Sequence, residues 1–391
     1  MNGRFLLSLL TIVAVGAILV AGCATTPSSS GSNATTAPSL NETRTITDMY
    51  GHQVTVPATP HRVGIFGGPI GMVPFMLGVQ DTLVAVTKGH KSELLVKIYP
   101  PLKDLPAPRA QNGQINIEEL LASNPEFVIA GDVDGAIVEK QTRIPVVYFM
   151  SDADGTFNDT KNEVLFLGQL FNRTNKAEHF ASYLDTTVDL VKNRTGDIPA
   201  DKRLKVFKGY DTTHLVTYGG DSYMNERIEA AGCINVAGPI STKGQKEGLH
   251  SGLDQVSREQ VLAWNPDIIV IDTGSPQDLY DDPQWAGIAA VKNHRVYRQP
   301  SGLFVWNRPS AESAVLFPIW LASVAYPDRF TDIDMKQEVK RFYAEIFEYD
   351  LSDEDAEKVL SGGFSQSSIF GGAAQGNVSA KNATASGTPT A

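Results

Sequence analysis

Two stretches of the chain share one pattern, Asn116-Ile-Glu-Glu-Leu-Leu-Ala-Ser-Asn-Pro-Glu-Phe-Val-Ile-Ala130 and Ser257-Arg-Glu-Gln-Val-Leu-Ala-Trp-Asn-Pro-Asp-Ile-Ile-Val-Ile271. Each copy begins with a residue type that caps helices and has Glu119 or Gln260 three positions later, which predicts a capping box. The helix ends at Asn-Pro, because proline lacks an amide donor and disfavours helix for the residue before it. The β-branched run that follows is typical of a buried parallel strand. The repeat therefore predicts two similar α/β lobes.

The segment between the two copies has a helical period. Its apolar positions form one face at Val164, Leu165, Leu167 and Leu170, and a second at Phe180, Ala181, Leu184, Val188 and Val191. Thr174 is the expected N-cap of the second helix, which runs to about Arg194 and spans about 30 Å. One rigid helix between two lobes should permit only small closing motions.

The remaining elements follow from shorter patterns. Strands are expected at 62–66, 83–86 and 146–149 in the first lobe and at 204–207 and 295–297 in the second. Helices are expected at 311–325, 334–347 and 352–360, the last with Ser352 and Asp355 as cap and box.

The composition is that of a globular chain with two core-forming units. The 391 residues exceed one ordinary domain, and 42% apolar with 20% charged residues is normal for a folded protein. The net charge of -11 argues against nucleic acid and anionic membrane surfaces as partners. No cofactor is expected.

The N-terminus has the layout of an export signal. The single cation Arg4 precedes an apolar run that closes with Val20-Ala21-Gly22-Cys23. This ending resembles the lipobox of secreted lipoproteins, which predicts that Cys23 is lipidated and that the protein is anchored to the outer face of the cytoplasmic membrane. A transmembrane anchor is the alternative, but a span needs about 20 apolar residues and this run is shorter. Cys233 then has no disulfide partner and should be a small core residue.

The expected domain boundaries follow from these features. They are a signal peptide with the lipidated cysteine at 1–23, a flexible tether at 24–43, an N-terminal lobe at 44–154, connecting helices at 155–196, a C-terminal lobe at 197–330, terminal helices at 331–361 and a disordered low-complexity tail at 362–391. Asn-x-Ser/Thr sequons, which suit an extracellular glycoprotein, occur at Asn33, Asn41, Asn158, Asn172, Asn193, Asn377 and Asn382.

Three motifs carry a resemblance to a known family. The segment from Ile46 to Pro57 resembles the opening hairpin of substrate-binding proteins for iron–siderophore, haem and vitamin B12 importers. Pro60-His-Arg-Val63 leads into the first strand as it does in that family, and Asp254 to Leu262 is similar to the vitamin B12 binding protein. The resemblance covers roughly Thr45 to Leu360. It implies a class III periplasmic-binding-protein fold, in which two Rossmann-like α/β lobes are joined by a single long α-helix.

The resemblance also implies a mode of action. A ligand binds in the cleft, and a surface acid on each lobe contacts the permease of an ABC importer. Glu259 matches the second-lobe position, although it could merely stabilise its own helix. The aligned first-lobe position has no acid, and Glu139 is preferred to its neighbour Asp134 and to Glu118, the mate of Glu259 in the repeat.

The ligand candidates are residues that follow predicted strands, because ligands of open α/β sheets collect outside the carboxyl ends of the strands. Trp306 and Arg308 are the first choices, since an indole and a guanidinium suit an anionic aromatic chelate. The full set is Phe66, Lys88, His90, Asp132, Tyr210, Tyr218, Trp306 and Arg308. Core packing is an equal explanation for Phe66 and Tyr218, and Arg308 could form a structural ion pair.

Two further motifs bear on the ligand. Gly67-Gly68-Pro69-Ile-Gly71 is no phosphate loop, because no Gly-Lys-Ser/Thr follows, and it should let the backbone approach a ligand or turn sharply. The seven histidines have no paired ligand spacing, which argues against a receptor for bare zinc or manganese.

The sequence thus predicts a monomeric, lipid-anchored solute-binding protein that delivers an iron chelate, haem or a corrinoid to an ABC permease. A chelatase-like enzyme is an alternative, but no acid–base or nucleophile cluster stands out. A surface glycoprotein that binds no small solute is a second alternative.

Overall fold

The computed structural model describes residues 42–110, 113–149, 155–209, 215–241 and 253–364. The lipidation prediction at Cys23, Tyr210, and nearly all of the predicted tether and of the predicted tail lie outside these residues, and Thr43, the last residue of the predicted tether, belongs to a strand. The strands are β1 Thr43–Thr47, β2 Gln53–Pro57, β3 Val63–Phe66, β4 Leu83–Ala85, β5 Phe127–Ala130, β6 Val146–Tyr148, β7 Lys205–Gly209, β8 Val216–Tyr218, β9 Ile234–Asn235, β10 Leu253–Gln255, β11 Ile268–Ile271 and β12 Val296–Arg298. The α-helices are α1 Val73–Met76, α2 Glu93–Ile98, α3 Ile117–Ala122, α4 Asp132–Gln141, α5 Phe157–Leu170, α6 Thr174–Thr195, α7 Tyr223–Ala230, α8 Arg258–Trp264, α9 Pro276–Asp281, α10 Ala289–Lys292, α11 Ala311–Ala325, α12 Met335–Phe347 and α13 Asp353–Leu360.

The first sheet is parallel and has the strand order β4-β3-β5-β6. Val63 of β3 pairs with Phe127 of β5, and all four residues of each of these two strands are buried. Burial on both faces explains why these strands are continuous apolar runs instead of alternating ones. The carboxyl ends of β3 and β5 therefore meet at one edge of the sheet.

The second sheet is mixed, with the order β10-β8-β7-β11-β12, and β9 also pairs with β7. Strands β7, β11 and β12 are parallel to one another, as predicted, whereas towards the other edge of the sheet β8 is antiparallel to both β7 and β10. These edge strands were not predicted, because each has three residues and lacks a detectable alternation of apolar side chains.

The repeat forms the predicted helix–strand unit twice, as α3–β5 and α8–β11. The side chains of Asn116 and Ser257 cap their helices by accepting the amides of Glu119 and Gln260. Asn124 and Asn265 follow the two helices and adopt the left-handed region, each with φ of 46°. The predicted capping boxes are wrong, because neither Glu119 nor Gln260 returns its side chain to the amide of its cap residue, and Glu119 instead accepts the amide of Ala107 at 3.1 Å.

The linking helix α6 has 22 residues and begins at Thr174, so its N-cap is Arg173 and not Thr174 as predicted. It does not stand alone between the sheets. It packs against α5 and α11, and one hydrophobic core runs from β3 through these helices to β7 and β11. None of the helices in the described residues combines the length and the apolarity that a membrane-spanning helix requires.

The structure also tests the predictions for Cys233 and for the capping box of α13. Cys233 is buried and unpaired, and desolvation raises the pKa of its thiol to about 12, as expected for an unreactive core residue. Ser352 caps α13, but the side chain of Asp355 pairs with Lys97 at 2.6 Å and completes no capping box.

Candidate ligand-binding site

A cavity of about 280 Å³ lies at the carboxyl ends of β3 and β5. The turn after β3 forms one wall with Phe66 to Ile70, and the start of α4 forms another with Gly131 to Asp134. The third wall is α5, and Pro309, which follows the loop after β12, closes the cavity from the second sheet. This is the edge at which open α/β sheets bind ligands.

His90 stabilises the turn after β3, which contains Gly67 and Gly68. This imidazole is 1% exposed, and its Nε2 donates to the carbonyl oxygens of Gly67 and Gly68, the latter at 3.1 Å. Its Nδ1 accepts the amide of Thr87 at 3.4 Å, and burial lowers the pKa of His90. A Cβ on Gly71 would lie 1.8 Å from Nε2, so only glycine leaves room for the ring. His90 is therefore neutral and positions the turn.

An ion pair lies in the wall formed by α4. Nε of Arg109 donates to Oδ2 of Asp134 at 2.7 Å, and its Nη1 approaches the carbonyl oxygen of Ala110 at 3.4 Å. Asp134 is 8% exposed, and its Oδ1 has no hydrogen-bond partner in the described residues. Isolated β-bridges of Arg109 with Thr87 and with Ile115 hold its backbone between these two segments.

The wall formed by α5 carries a hydroxyl and a carboxyl group. Thr156 begins this helix with a capping box to Asp159, and Thr160 and Glu163 follow on the face that lines the cavity. Thr160 is 3% exposed and its Oγ1 lacks a partner among the described residues. Burial, and next the charge of Asp159, raise the pKa of Glu163 to about 8.

The second sheet holds the first turn of α5 in place. Oε2 of Glu226, on α7, accepts the amide of Phe157 at 2.8 Å, and Nη1 of Arg227 donates to the carbonyl oxygen of Gly155 at 3.3 Å. Gly155 has φ of 71° and lies against Pro309. The cavity wall formed by α5 is thus tied to α7.

A buried polar cluster occupies the carboxyl ends of β7 and β11. Lys208 forms an ion pair with Asp272, whose Oδ2 accepts Nδ2 of Asn307 at 2.8 Å. The hydroxyl of Tyr218 donates to the carbonyl oxygen of Asn307 at 3.2 Å, and its ring lies 5.3 Å from Nζ of Lys208. The cluster fixes the loop that leads to Pro309.

The structure separates the predicted ligand residues into three groups. Phe66 and Asp132 border the cavity, Asp132 with an exposed side chain and Phe66 with a side chain that is buried in the core. Tyr218, Trp306 and His90 are buried and do not belong to the lining, so these three lie behind the walls instead of facing a ligand. Lys88 is exposed outside the cavity, Arg308 is half-buried next to Pro309, and Tyr210 lies outside the described residues.

The four polar residues that line the cavity without having been predicted as ligand contacts are Arg109, Asp134, Thr160 and Glu163. Arg109 belongs to a proline-rich loop, and Thr160 and Glu163 belong to an amphipathic helix, so neither segment ends a strand. The spacing of Thr160 and Glu163, three residues apart, was the one signal that could have placed them on a common helix face. Nothing in the sequence indicated what that face contacts.

The acids predicted to contact a permease are both at the surface. Glu139 lies on α4 and Glu259 on the first turn of α8, and both are exposed. Hydrogen bonds from its own amide and from Ser257 lower the pKa of Glu259. Asp134, the alternative in the first lobe, is buried in its ion pair with Arg109 and is unsuited to that role.

Comparison with known protein families identifies the family of the chain. A family model described as periplasmic binding protein matches residues 69–303, which include both copies of the repeat and the linking helix and begin within the cavity turn. The chain belongs to the periplasmic binding protein family. The predicted resemblance and the predicted class III fold are thereby confirmed, and as a periplasmic binding protein the chain is a solute-binding protein of the kind that serves ABC importers.

Individual periplasmic binding proteins resemble it over most of its length. The molybdate-binding protein MolA of Haemophilus influenzae is 28% identical over 330 residues, which cover 78% of this chain and 91% of MolA. The solved structure of MolA bound to molybdate has a TM-score of 0.66 with 26% identity and covers 79% of this chain and 99% of that one. A periplasmic solute binding protein from Veillonella parvula has a TM-score of 0.69 with 25% identity and covers 84% of this chain and 100% of its own.

Proposed function

We propose that this periplasmic binding protein captures a metal chelate in the cavity at the ends of β3 and β5 and delivers it to the permease of an ABC importer. The observation that carries the proposal is the composition of the cavity wall. Residues of the first sheet, of α5 and of Pro309 surround one space, so a solute bound there contacts the first sheet, the helical layer and the second sheet together. A ligand that joins these parts stabilises one arrangement of the molecule, and a permease can distinguish that arrangement from the empty one.

The first candidate ligand is an iron–siderophore complex, with haem or a corrinoid as alternatives in the same role. The family resemblance supports this class. A bare ion is disfavoured, because the described residues contain no group of three or more His, Cys, Asp or Glu side chains that could hold a metal. The second candidate is an oxyanion, since MolA is named for molybdate.

Delivery to an ABC permease and anchoring by Cys23 complete the proposal. MolA is described as the cognate binding protein of an ABC transporter, which supports the same kind of partner here. Lipidation of Cys23 would hold the protein near its permease and raise its effective concentration there. Three sequon asparagines among the described residues, Asn158, Asn172 and Asn193, are exposed, and Nδ2 of Asn172 donates to the carbonyl oxygen of Ala58 at 2.8 Å.

The ligand class is tested by isolating the protein from its native host and recording the absorption spectrum, metal content and mass of the solute that co-purifies. A metal complex with a chelator, porphyrin or corrin mass supports the proposal. Isothermal titration with ferric chelates, haem, cobalamin and molybdate then ranks the candidates. Molybdate as the tightest ligand would replace the chelate by the second candidate, and absence of binding by all of them contradicts the proposed ligand class.

A further inference from the structure

The charges around the cavity are mostly negative. Among the described residues that line it, Asp132, Asp134 and Glu163 carry carboxyl groups and Arg109 is the one cation. Arg109 is already paired with Asp134, with 2.7 Å between Nε and Oδ2. Asp132 and Asp134 also occupy the first turn of α4, where they are stabilised by the positive end of the helix dipole. The wall that a ligand meets is therefore acidic.

Two buried polar atoms of this wall lack protein partners. Oδ1 of Asp134 and Oγ1 of Thr160 are both buried, and neither has a hydrogen-bond partner in the part of the chain that the structure describes. Folded proteins rarely leave such atoms unsatisfied, because burial removes their water without replacement. The carboxylate oxygen can only accept, whereas the hydroxyl can accept or donate. A ligand that supplies hydrogen-bond donors would satisfy both.

Glu163 lies one helical turn after Thr160 on the same face of α5. The charged groups around it are Asp159 on its own helix, Asp132 and Asp134 on α4, and Arg109 from the loop before α3. With a pKa of about 8, Glu163 is mostly protonated at neutral pH. A cation beside it would favour the ionised form and displace the proton, whereas an anion would keep the proton in place.

We infer, on the basis of the proposed function, that the part of the solute entering this cavity is positively charged and rich in hydrogen-bond donors, and that Asp134, Thr160 and Glu163 contact it. A protonated amine or the ammonia or water ligands of a metal complex have this chemistry. A tetrahedral oxyanion such as molybdate lacks it, because it is negatively charged and would lie beside the carboxylates of Asp132 and Asp134. The inference therefore separates this cavity from the ligand for which MolA is named.

Two metal complexes of similar shape and opposite charge test the inference. Hexaamminecobalt(III) is an inert cation covered with N–H donors, and hexacyanocobaltate(III) is an inert anion with acceptors only. Both are titrated calorimetrically into the purified protein at about 0.15 M salt, which screens weak binding to the acidic surface. We expect one site for the cation, release of close to one proton at pH 7 when buffers of different ionisation enthalpy are compared, and no binding of hexacyanocobaltate or molybdate.

Variants locate that site in the cavity. Glu163→Gln keeps the shape of the side chain and should weaken the cation about tenfold and abolish proton release, as expected for loss of one charge-assisted hydrogen bond. Thr160→Val should weaken it severalfold. Glu178→Gln, which changes an exposed acid on α6, is the control and should leave affinity unchanged.

The outcomes separate this inference from the proposed function. Binding of molybdate or hexacyanocobaltate that competes with the cation overturns the inference, and so does a cation affinity that Glu163→Gln leaves unchanged. Failure to find any metal complex in the protein from its native host contradicts the proposed function instead. Circular dichroism of each variant verifies that a loss of binding is not a loss of folding.

Discussion

At the residue scale, the shape of the cavity depends on His90, which does not face it. The neutral imidazole donates to Gly67 and Gly68 from the side opposite to the ligand space. Sequence position suggested a direct ligand contact, because His90 follows a strand. The structure shows both ring nitrogens occupied by backbone groups, so the ring acts through the turn that it holds.

Replacing His90 by phenylalanine should therefore affect both stability and binding. His90→Phe keeps the ring but leaves the carbonyl oxygens of Gly67 and Gly68 without this donor, and we expect the free energy of unfolding to fall by about 1–3 kcal/mol. Ligand affinity should fall with it, because the turn is released. Urea unfolding and titration with the co-purified solute measure the two effects.

The exposed His61 provides the control. His61→Phe should change neither quantity appreciably. An unchanged stability of His90→Phe would mean that the turn does not need this donor.

Glu312 gives the protein a pH dependence that is independent of the cavity. It is fully buried, accepts the hydroxyl of Tyr343 at 2.6 Å and the amide of Phe304 at 3.3 Å, and has a pKa raised by burial to about 7 from an ordinary 4.5. Between these values the folded state binds more protons than the unfolded state. The stability contributed by Glu312 is therefore complete below pH 4.5 and is lost as the pH rises toward 7.

The expected loss is about 3 kcal/mol, since each unit of pKa shift corresponds to about 1.4 kcal/mol. Urea unfolding of the wild type and of Glu312→Gln should show a steeper fall in stability for the wild type between about pH 5 and pH 8. Glu354→Gln, at an exposed position of α13, should behave as the wild type does. Parallel pH profiles for the wild type and Glu312→Gln would show that this acid does not titrate in the window.

At the element scale, α5 connects the ligand cavity with α7 of the second α/β unit. Its cavity-lining residues face α4 of the first sheet, while its first turn is bonded to Glu226 and Arg227 of α7. Arg227 is fully buried, and its Nε and Nη2 lack partners among the described residues. Burial lowers its pKa to about 10. Burial of this guanidinium costs free energy, which the other interactions of the α5–α7 contact must offset.

Removing the acceptor in this contact should loosen α5. In Glu226→Ala the amide of Phe157 loses its partner, and we expect a destabilisation of about 1–2 kcal/mol together with weaker ligand binding. Glu229→Ala on the same helix is the matched control, because Glu229 is exposed and bonds the side chain of Asn225.

Thermal unfolding and calorimetric titration of both variants make the comparison. Equal effects of the two substitutions would contradict a special role of Glu226. Reduced stability with unchanged affinity would show that α5 keeps its place at the cavity without this bond.

At the scale of the whole molecule, the two copies of the repeat place α3 and α8 in equivalent positions of the two sheets. Glu118 and Glu259 are mates in this repeat, and both are exposed. We predict permease contact for Glu259 on the second lobe and for Glu139 on the first, so Glu118 serves as an internal control for Glu259.

Glu259→Ala should leave the affinity for the solute unchanged and lower its uptake into cells severalfold, because the substitution touches a partner surface and not the cavity. Uptake of the co-purified solute by cells that carry the variant is the measurement. Glu118→Ala should have a much smaller effect. Normal uptake by cells with Glu259→Ala would remove this acid from the docking surface.

Much of the architecture could be predicted from the sequence. Val63–Phe66, Phe127–Ala130 and Ile268–Ile271 were identified as strands because buried parallel strands are continuous apolar runs. The helix bounds near Ala311, Phe347 and Leu360 followed from periodicity and caps, which act over a few neighbouring residues. The short strands β8 and β10 were missed, because what stabilises them is pairing with β7 and with each other.

The sequence by itself determined the two α/β units, the helix between them, their family and the edge at which a ligand would collect. Only the tertiary structure decided which side chains meet there. Arg109, Asp134, Thr160 and Glu163 come from three separate segments, and Trp306, Tyr218 and His90 lie behind the walls that those segments form. The physical reason is that helices and strands are specified by local period and caps, whereas a cavity is the space left where distant elements pack, and no local pattern encodes which faces border it.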